Sequence, residues 1–383
     1  MRLNKLFILY PLFGILMASC IKDEAPNAEA DITGISFEED VLANSYIDLN
    51  PSYDESQNAY PIRISVKEST DMTSLAPIFE LTPGATISPA SGSVQNFTTP
   101  VRYTVTSEDK AWHRVYAITA REQKASNIPT TYHFEKVRIM QNVWQEFYEE
   151  QDSGNELTWA SGNKGFKWAM SEAATEDYPT TQIDNGKTGK CVKLETRLTG
   201  DLGNMVGMPI AAGNLFIGSF DMLNATNPLS ATRFGTPFYN KPLRLTGYYK
   251  YKAGEQFYEN GEYTSRKDIF NIYAIFYDGV KYDSAGKGTD VTLDGNLPNQ
   301  NYEHSSMVAL ALVSNPQETE GDEWKFFDIP FDYQRYGKKI DEARLAKGEY
   351  KIGIIFASSK DGATFEGAPG STLLIDEVEL IYE

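Results

Sequence analysis

The chain has little histidine and lacks the short motifs of metal or nucleophile centres. Its three histidines, His113, His133 and His304, lie far apart and form no His-Glu-x-x-His pair, which argues against a catalytic zinc. No Gly-x-Ser-x-Gly elbow is present, and Gly286-Lys287-Gly288 lacks the sequence and context of a phosphate loop. These absences argue against most classes of enzyme.

Basic residues and long apolar runs are also scarce. The 383 residues contain 35 Lys and Arg against 53 Asp and Glu, a net charge of −18. A surface of that sign repels nucleic acid and anionic lipid headgroups. Beyond the N-terminal segment, no apolar run is long enough to cross a bilayer. The composition therefore predicts a globular body that does not bind nucleic acid.

The first twenty residues contain the parts of a secretory signal. Arg2 and Lys5 form a basic start, and an apolar core extends from Leu6 to Leu16. The run Leu16-Met17-Ala18-Ser19-Cys20 resembles a bacterial lipobox, which implies that residues 1–19 are a lipoprotein signal peptide and that Cys20 carries lipid. An ordinary signal peptide with an incidental cysteine is the alternative.

The residues after Cys20 indicate where the protein is anchored. Ile21-Lys22-Asp23-Glu24 resembles the Lys-then-acidic tag of Bacteroidetes lipoproteins that face outward from the outer membrane. We therefore expect a lipid-anchored outer-membrane protein that faces the cell exterior. Acylation of Cys20 would leave Cys191 as the one remaining thiol, so no intrachain disulfide is expected. Cys191 lies in an apparent strand and is expected to be a small buried hydrophobe.

The N-terminal third reads as a tether followed by a small β domain. Residues 20–30 are polar without apolar periodicity and are predicted to be flexible. Residues 31–122 contain short runs separated by turn residues, and the run Tyr60–Lys67 alternates apolar and polar side chains. This spacing predicts a small β-sandwich, with residues 123–130 as a linker.

The same unit resembles an immunoglobulin-like module. The resemblance rests on Phe79–Pro89, Phe97-Thr98 and Tyr103–Asp109. Such modules recur near the N-termini of Bacteroidetes surface proteins, where they act as spacers. The resemblance therefore implies an immunoglobulin-like spacer rather than a ligand site.

Residues 131–383 are predicted to form one larger all-β domain. Nine or more strand candidates fill this region, and a helical pattern is found only over residues 338–346. So many strands exceed an immunoglobulin sandwich and suit a jelly-roll β-sandwich. The opening His133-Phe134-Glu135 and the closing Leu374–Leu380 resemble the ends of jelly-roll carbohydrate-binding modules. That resemblance implies that the first and last strands lie side by side.

A second resemblance covers the same region. It rests on Ala212–Phe220, Phe234–Phe238, Lys241–Gly254 and Leu374–Val378. These segments resemble the Bacteroidetes "putative carbohydrate metabolism domain" over about residues 130–383. The resemblance implies a jelly-roll domain concerned with glycans, but it supplies no catalytic residue.

Three tryptophans are candidates for contacts with sugar. Trp144, Trp159 and Trp168 fall in stretches that read as loops. Exposed indole rings at one end of a sandwich can stack on the flat faces of sugars. The alternative is that each ring fills the core, because tryptophan is highly buried on average.

Acidic residues offer two further possibilities. Glycoside hydrolysis needs only two carboxylates, and Glu146, Glu149 and Asp278 are among many candidates, so the catalytic residues stay unknown. Glu135 and Asp376 would lie on neighbouring strands and could share a structural calcium ion, which prefers oxygen ligands. Two exposed acids at a strand edge are the alternative. Calcium is the one cofactor that the sequence suggests.

Three functions remain open at this point. The first is a surface lipoprotein that binds a polysaccharide or oligosaccharide through its C-terminal jelly roll, with the N-terminal unit as spacer. The second is a glycoside hydrolase or other carbohydrate-active enzyme that uses a carboxylate pair of the same domain. The third is a structural or adhesive protein with a protein partner, such as a component of an outer-membrane uptake complex.

Overall fold

The computed structural model describes residues 25–39, 41–42, 47–68, 70–123, 128–151, 156–221 and 228–383. The predicted signal peptide, Cys20 and part of the predicted tether and linker lie outside these residues. In the described part of the chain, no helix has the length and apolar character needed to cross a membrane.

The N-terminal unit is a small β-sandwich. Its strands are β1 (Ile32–Ser36), β2 (Tyr60–Lys67), β3 (Ile78–Leu81), β4 (Thr86–Ser88), β5 (Val101–Thr106) and β6 (His113–Gln123). One sheet has the order β2-β6-β5-β4, in which β2 and β6 are parallel, and β1 pairs with β3 in the other. The alternation in β2 turns Ile62, Ile64 and Val66 into a shared core with Tyr103 and Val105.

The C-terminal domain is built almost entirely from strands, as predicted. They are β7 (Thr131–Tyr132), β8 (Val137–Met140), β9 (Trp144–Glu150), β10 (Glu156–Thr158), β11 (Thr180–Asp184), β12 (Lys190–Glu195), β13 (Arg197–Leu198), β14 (Ile210–Ala211), β15 (Asn214–Phe216), β16 (Gly218–Phe220), β17 (Thr232–Phe234), β18 (Thr236–Phe238), β19 (Pro242–Lys252), β20 (Phe257–Glu259), β21 (Glu262–Thr264), β22 (Asn271–Asp278), β23 (Val280–Tyr282), β24 (Gly288–Asp290), β25 (Leu293–Asp294), β26 (Met307–Leu312), β27 (Lys325–Pro330), β28 (Tyr350–Ala357) and β29 (Thr372–Tyr382).

Two large antiparallel sheets form the sandwich of this domain. The six-stranded sheet has the order β11-β12-β29-β19-β27 with β7 added to β29, and the five-stranded sheet has the order β15-β28-β22-β26 with β18 added to β28. Their facing side chains form the main core, to which Phe276, Ile354 and Phe356 contribute from the five-stranded sheet. The predicted all-β sandwich is therefore confirmed.

The two ends of the domain are neighbours in the six-stranded sheet. Tyr132 of β7 lies opposite Val378 of β29, which confirms the predicted pairing of first and last strands. The same edge of β29 pairs with β12 further toward its start, where Val192 lies opposite Ile375. Between these two partners Glu377 has a φ of +48° and the pairing of β29 with β19 shifts register. This irregularity lets one strand serve two neighbours along one edge.

Four short α-helices interrupt the strands of this domain in the described part of the chain. They are α1 (Asn163–Ala169), α2 (Gly200–Met205), α3 (Pro228–Ala231) and α4 (Glu342–Leu345) in the described residues. Only α4 was expected, and Asp341 caps it by accepting hydrogen bonds from Ala343 N and Arg344 N. The others are too short to show helical periodicity, so their stability depends on contacts with the rest of the domain.

The two domains contact each other through ion pairs. Arg121 Nη1 lies 2.5 Å from Glu342 Oε2 of α4, and Arg63 Nη1 lies 3.6 Å from Glu383 Oε1. A cleft between the two domains is lined by these charged groups and by apolar side chains such as Ile64 and Leu345.

Candidate functional site

The outer face of the five-stranded sheet carries an apolar cavity of about 150 Å³. The sheet, the strands β16 and β17, and the helices α1 and α2 enclose it. Its wall is mainly aromatic and aliphatic, and includes Phe216, Phe220, Phe234, Tyr273, Ile355 and Phe365. A concave, mostly apolar pocket of this kind is the usual form of a small-ligand site.

Hydrogen bonds hold α1 over this cavity. Asn163 is fully buried, and its side chain donates to Thr180 O at 2.7 Å and accepts from Thr180 N at 3.1 Å. Gly162 N donates to Asn214 Oδ1 at 2.8 Å. These bonds connect the start of α1 to β11 and β15, so the helix is fixed although it has only seven residues.

The mouth of the cavity is rimmed by exposed apolar side chains. Trp168 in α1 is 48% exposed, and Val206, just after α2, is 40% exposed, and both line the cavity. Leu202 and Met205 of α2 are exposed close by in the sequence. Clustered large apolar side chains at a surface are typical of interaction sites.

The three tryptophans that were predicted to contact sugar differ in their exposure. Trp168 is exposed at the cavity mouth, so its predicted contact with sugar stays a prediction. The prediction is wrong for Trp144 and Trp159, which are 6% and 1% exposed. Trp144 packs below α1 with Phe166 and Tyr178, and Trp159 lies in the main core.

The contacts of Trp159 explain its burial. Its ring centroid lies 5.2 Å from that of Tyr132, 5.6 Å from that of Phe134 and 5.9 Å from that of Phe356. Tyr132 and Phe134 come from one segment and Phe356 from another that is far from both in the sequence, so the short loop-like stretch around Trp159 gave no sign of them.

Sequence reasoning did not predict most of the residues that line the cavity as ligand-binding residues. Asn214, Phe216, Phe220 and Phe234 line the cavity, and all of them lie in segments on which the family resemblance rests. That resemblance was the available signal, but it assigned no ligand role to them.

No Asp, Glu or His is found among the described residues that line the cavity.

The acids that were considered for catalysis have partners elsewhere in the domain. Glu149 accepts a hydrogen bond from Phe134 N at 2.9 Å, and burial raises its pKa. Asp278 forms a two-oxygen ion pair with Arg344 at 2.6 and 2.7 Å. Glu146 lies 3.7 Å from Arg138, and burial raises its pKa as well.

Glu135 and Asp376 meet at the turn between β11 and β12. Lys190 N donates to Glu135 Oε1 at 2.8 Å, and Thr188 N donates to Asp376 Oδ2 at 3.0 Å. Asp376 is fully buried, and burial raises its pKa to about 6. The alternative of two exposed acids at a strand edge does not fit Asp376, which is buried, whereas Glu135 is exposed.

A calcium ion shared by these two acids stays a prediction. Both carboxylates reach one turn, as the prediction requires, but their oxygens accept backbone N–H groups there. No group of three or more His, Cys, Asp or Glu suited to a metal occurs in the described part of the chain. Thermal melting tests the ion: a melting temperature that calcium raises and chelator lowers would support it, and an unchanged value would contradict it.

A model of the "Putative carbohydrate metabolism domain" matches residues 133–381. The chain belongs to this family. A model described as "SGBP, N-terminal" matches residues 48–120, within the N-terminal sandwich. No curated protein matches the chain.

Two solved structures from the genus Bacteroides are similar to it. A "putative glycoside hydrolase" from Bacteroides thetaiotaomicron is 45% identical, with 94% of this chain and 99% of that chain covered and a TM-score of 0.61. Another "putative glycoside hydrolase", from Bacteroides vulgatus, is 50% identical, with 67% of this chain and 98% of that chain covered and a TM-score of 0.62. The family match makes the C-terminal domain of this chain a carbohydrate-related one.

Proposed function

We propose that the protein is a cell-surface lipoprotein whose C-terminal domain binds a glycan without cleaving it, and whose N-terminal sandwich acts as a spacer. The main support is the cavity on the outer face of the five-stranded sheet. Its mouth presents the exposed ring of Trp168, and its described lining contains no carboxylate that could act as acid, base or nucleophile.

The position of Trp168 suits stacking on a sugar. Because α1 is tied to β11 and β15, the backbone that carries Trp168 is fixed at the mouth, and little backbone entropy is lost on binding. Glycans bind in this way when one face of the sugar covers an aromatic ring and the hydroxyls remain near water.

A glycan array with matched variants tests the proposal. The wild-type protein is expected to bind one class of polysaccharide, and Trp168→Ala to weaken that binding about tenfold or more. Trp112→Ala is the control, because Trp112 is 63% exposed on the N-terminal sandwich. Equal binding by all three proteins, or no binding to any glycan, would contradict the proposal.

Glycoside hydrolysis is the second candidate, since both similar Bacteroides proteins are described as putative glycoside hydrolases. Hydrolysis would be measured as the release of reducing ends from the glycan that the array identifies. Turnover that is lost on replacing one carboxylate, for example in Glu149→Gln or Asp376→Asn, would replace the binding proposal with the enzymatic one.

The proposed location has its own test. Cys20 is the proposed lipid attachment site, and the match to the "SGBP, N-terminal" model is compatible with a surface-associated protein. Metabolic labelling with a palmitate analogue should tag the wild-type protein and leave Cys20→Ser untagged. Protease added to whole cells should remove the protein, and survival of the intact chain would contradict exposure on the outside.

A further inference from the structure

The cavity and its mouth differ in chemistry. The mouth is open at Trp168, whereas the interior is enclosed by rings of Phe216, Phe234 and Tyr273 and by aliphatic side chains. A sugar ring carries hydroxyls on every side. Each hydroxyl that is buried without a partner destabilises the complex.

The polar side chains of the wall are largely occupied within the protein. Thr199 Oγ1 donates to Met208 O, and Thr232 Oγ1 donates to Leu229 O. Ser359 Oγ donates to the buried Asp268 Oδ2 at 2.6 Å. Asn214 accepts from Gly162 N and donates to Ala212 O. The described side chains therefore leave few groups to pair with the hydroxyls of an enclosed sugar.

The size and lining of the cavity suit one aromatic ring. An engineered cavity of about 150 Å³ lined by apolar side chains is known to bind benzene, and the cavity of this protein has the same volume. Its walls present aromatic rings, which pack edge to face or offset against another ring. A fused two-ring system has four more carbons than a single ring and fits this volume less well.

Two polar groups at the wall suit a linked and substituted ring. Lys360 lines the cavity, is exposed, and has no ion-pair partner among the described residues, so it can donate to an ester carbonyl. Asn271 is 4% exposed and its amide nitrogen donates to Tyr302 Oη at 2.9 Å. Its carbonyl oxygen accepts nothing from the described residues and can receive a ring hydroxyl.

We infer that the cavity takes a single aromatic ring joined by an ester to the glycan, while the sugar stays outside against Trp168. The inference rests on the proposed glycan binding and names the class of glycan: a saccharide with benzoate-like or phenolic ester substituents. The apolar interior and the aromatic mouth then bind two parts of one ligand.

Calorimetric titration with methyl benzoate and methyl 2-naphthoate tests the interior directly. Methyl benzoate is expected to bind the wild-type protein, and the bulkier naphthoate to bind about tenfold more weakly or not at all. Ala357→Leu, which adds three carbons from the sheet into the cavity, is expected to remove binding of methyl benzoate. Ala343→Leu on the exposed face of α4 is the control and should bind methyl benzoate like the wild type.

The outcomes separate this inference from the proposed function. Absent binding of methyl benzoate, equal binding of the naphthoate, or full binding by a folded Ala357→Leu would overturn the inference. If unsubstituted glycans on the array still bind through Trp168, the proposed function stands without it. If the array shows no glycan and methyl benzoate binds, the cavity assignment stands for the ring alone and the link to a saccharide is overturned. The comparison of benzoate with naphthoate needs only wild-type protein, so misfolding of a variant does not affect it.

Discussion

The two faces of the five-stranded sheet have the same strands but different coverings. The inner face meets the six-stranded sheet, and its side chains, such as Phe276, Ile354 and Phe356, are fully buried. The outer face is covered by short strands, loops and small helices instead, and a cavity remains beside Phe216 and Tyr273. A second sheet fills a face evenly, whereas irregular segments leave concave space that a ligand can occupy.

The largest change in the free energy of unfolding is expected from a substitution on the inner face. Phe356→Ala removes a fully buried ring that packs on Phe134 and Trp159. The free energy of unfolding should fall by about 3–5 kcal/mol, because the lost burial and the remaining cavity both destabilise the fold. Urea denaturation measures the change. If the free energy of unfolding falls no more than it does for a surface substitution, the inner face is packed no more tightly than the outer face.

Asp376 extends the comparison to the six-stranded sheet. Burial raises its pKa from 3.8 to about 6. The folded protein therefore holds this proton more tightly than the unfolded chain does. The stabilisation is complete below pH 3.8 and is lost as the pH rises through about 6.

Relative to Asp376→Asn, the wild-type protein should lose up to about 3 kcal/mol of unfolding free energy between about pH 4 and about pH 7. Urea denaturation of both proteins at the two pH values measures this difference, and other acids cancel because both chains share them. A difference that does not change with pH would contradict the raised pKa.

The adjacent residue on the outer face should behave in the opposite way to Phe356. Ala357 lines the cavity, so Ala357→Leu fills empty space and should raise the free energy of unfolding by about 1 kcal/mol. Urea denaturation again provides the measurement, with the exposed Ala343→Leu as control. Destabilisation by several kcal/mol would show that the outer face is as tightly packed as the inner one.

The smallest effect is expected where the two domains meet. Arg121 and Glu342 are both partly exposed, so their ion pair should contribute at most about 1 kcal/mol. Arg121→Ala should lower stability slightly, and added salt should remove the difference from the wild type. A larger loss that salt does not affect would indicate packing between the domains rather than charge.

Sequence reasoning correctly predicted the features that depend on a local pattern of residues. Alternation in Tyr60–Lys67 predicted β2 and its core face, and Cys191 is buried in β12 as expected. The adjacency of β7 and β29 was implied by the family resemblance of the two ends. The helices α1 and α2 were missed, since seven and six residues are too few to show a helical period.

The sequence by itself determined that the chain is all-β and negatively charged. Strand alternation and net charge depend only on the residue types and their order along the chain. The tertiary structure alone decided that Trp168 is exposed while Trp144 and Trp159 are buried. It also brought Glu135 and Asp376 to one turn and left the cavity free of acids in its described lining. Exposure and concavity depend on neighbours that come from distant strands, so no local pattern can encode them.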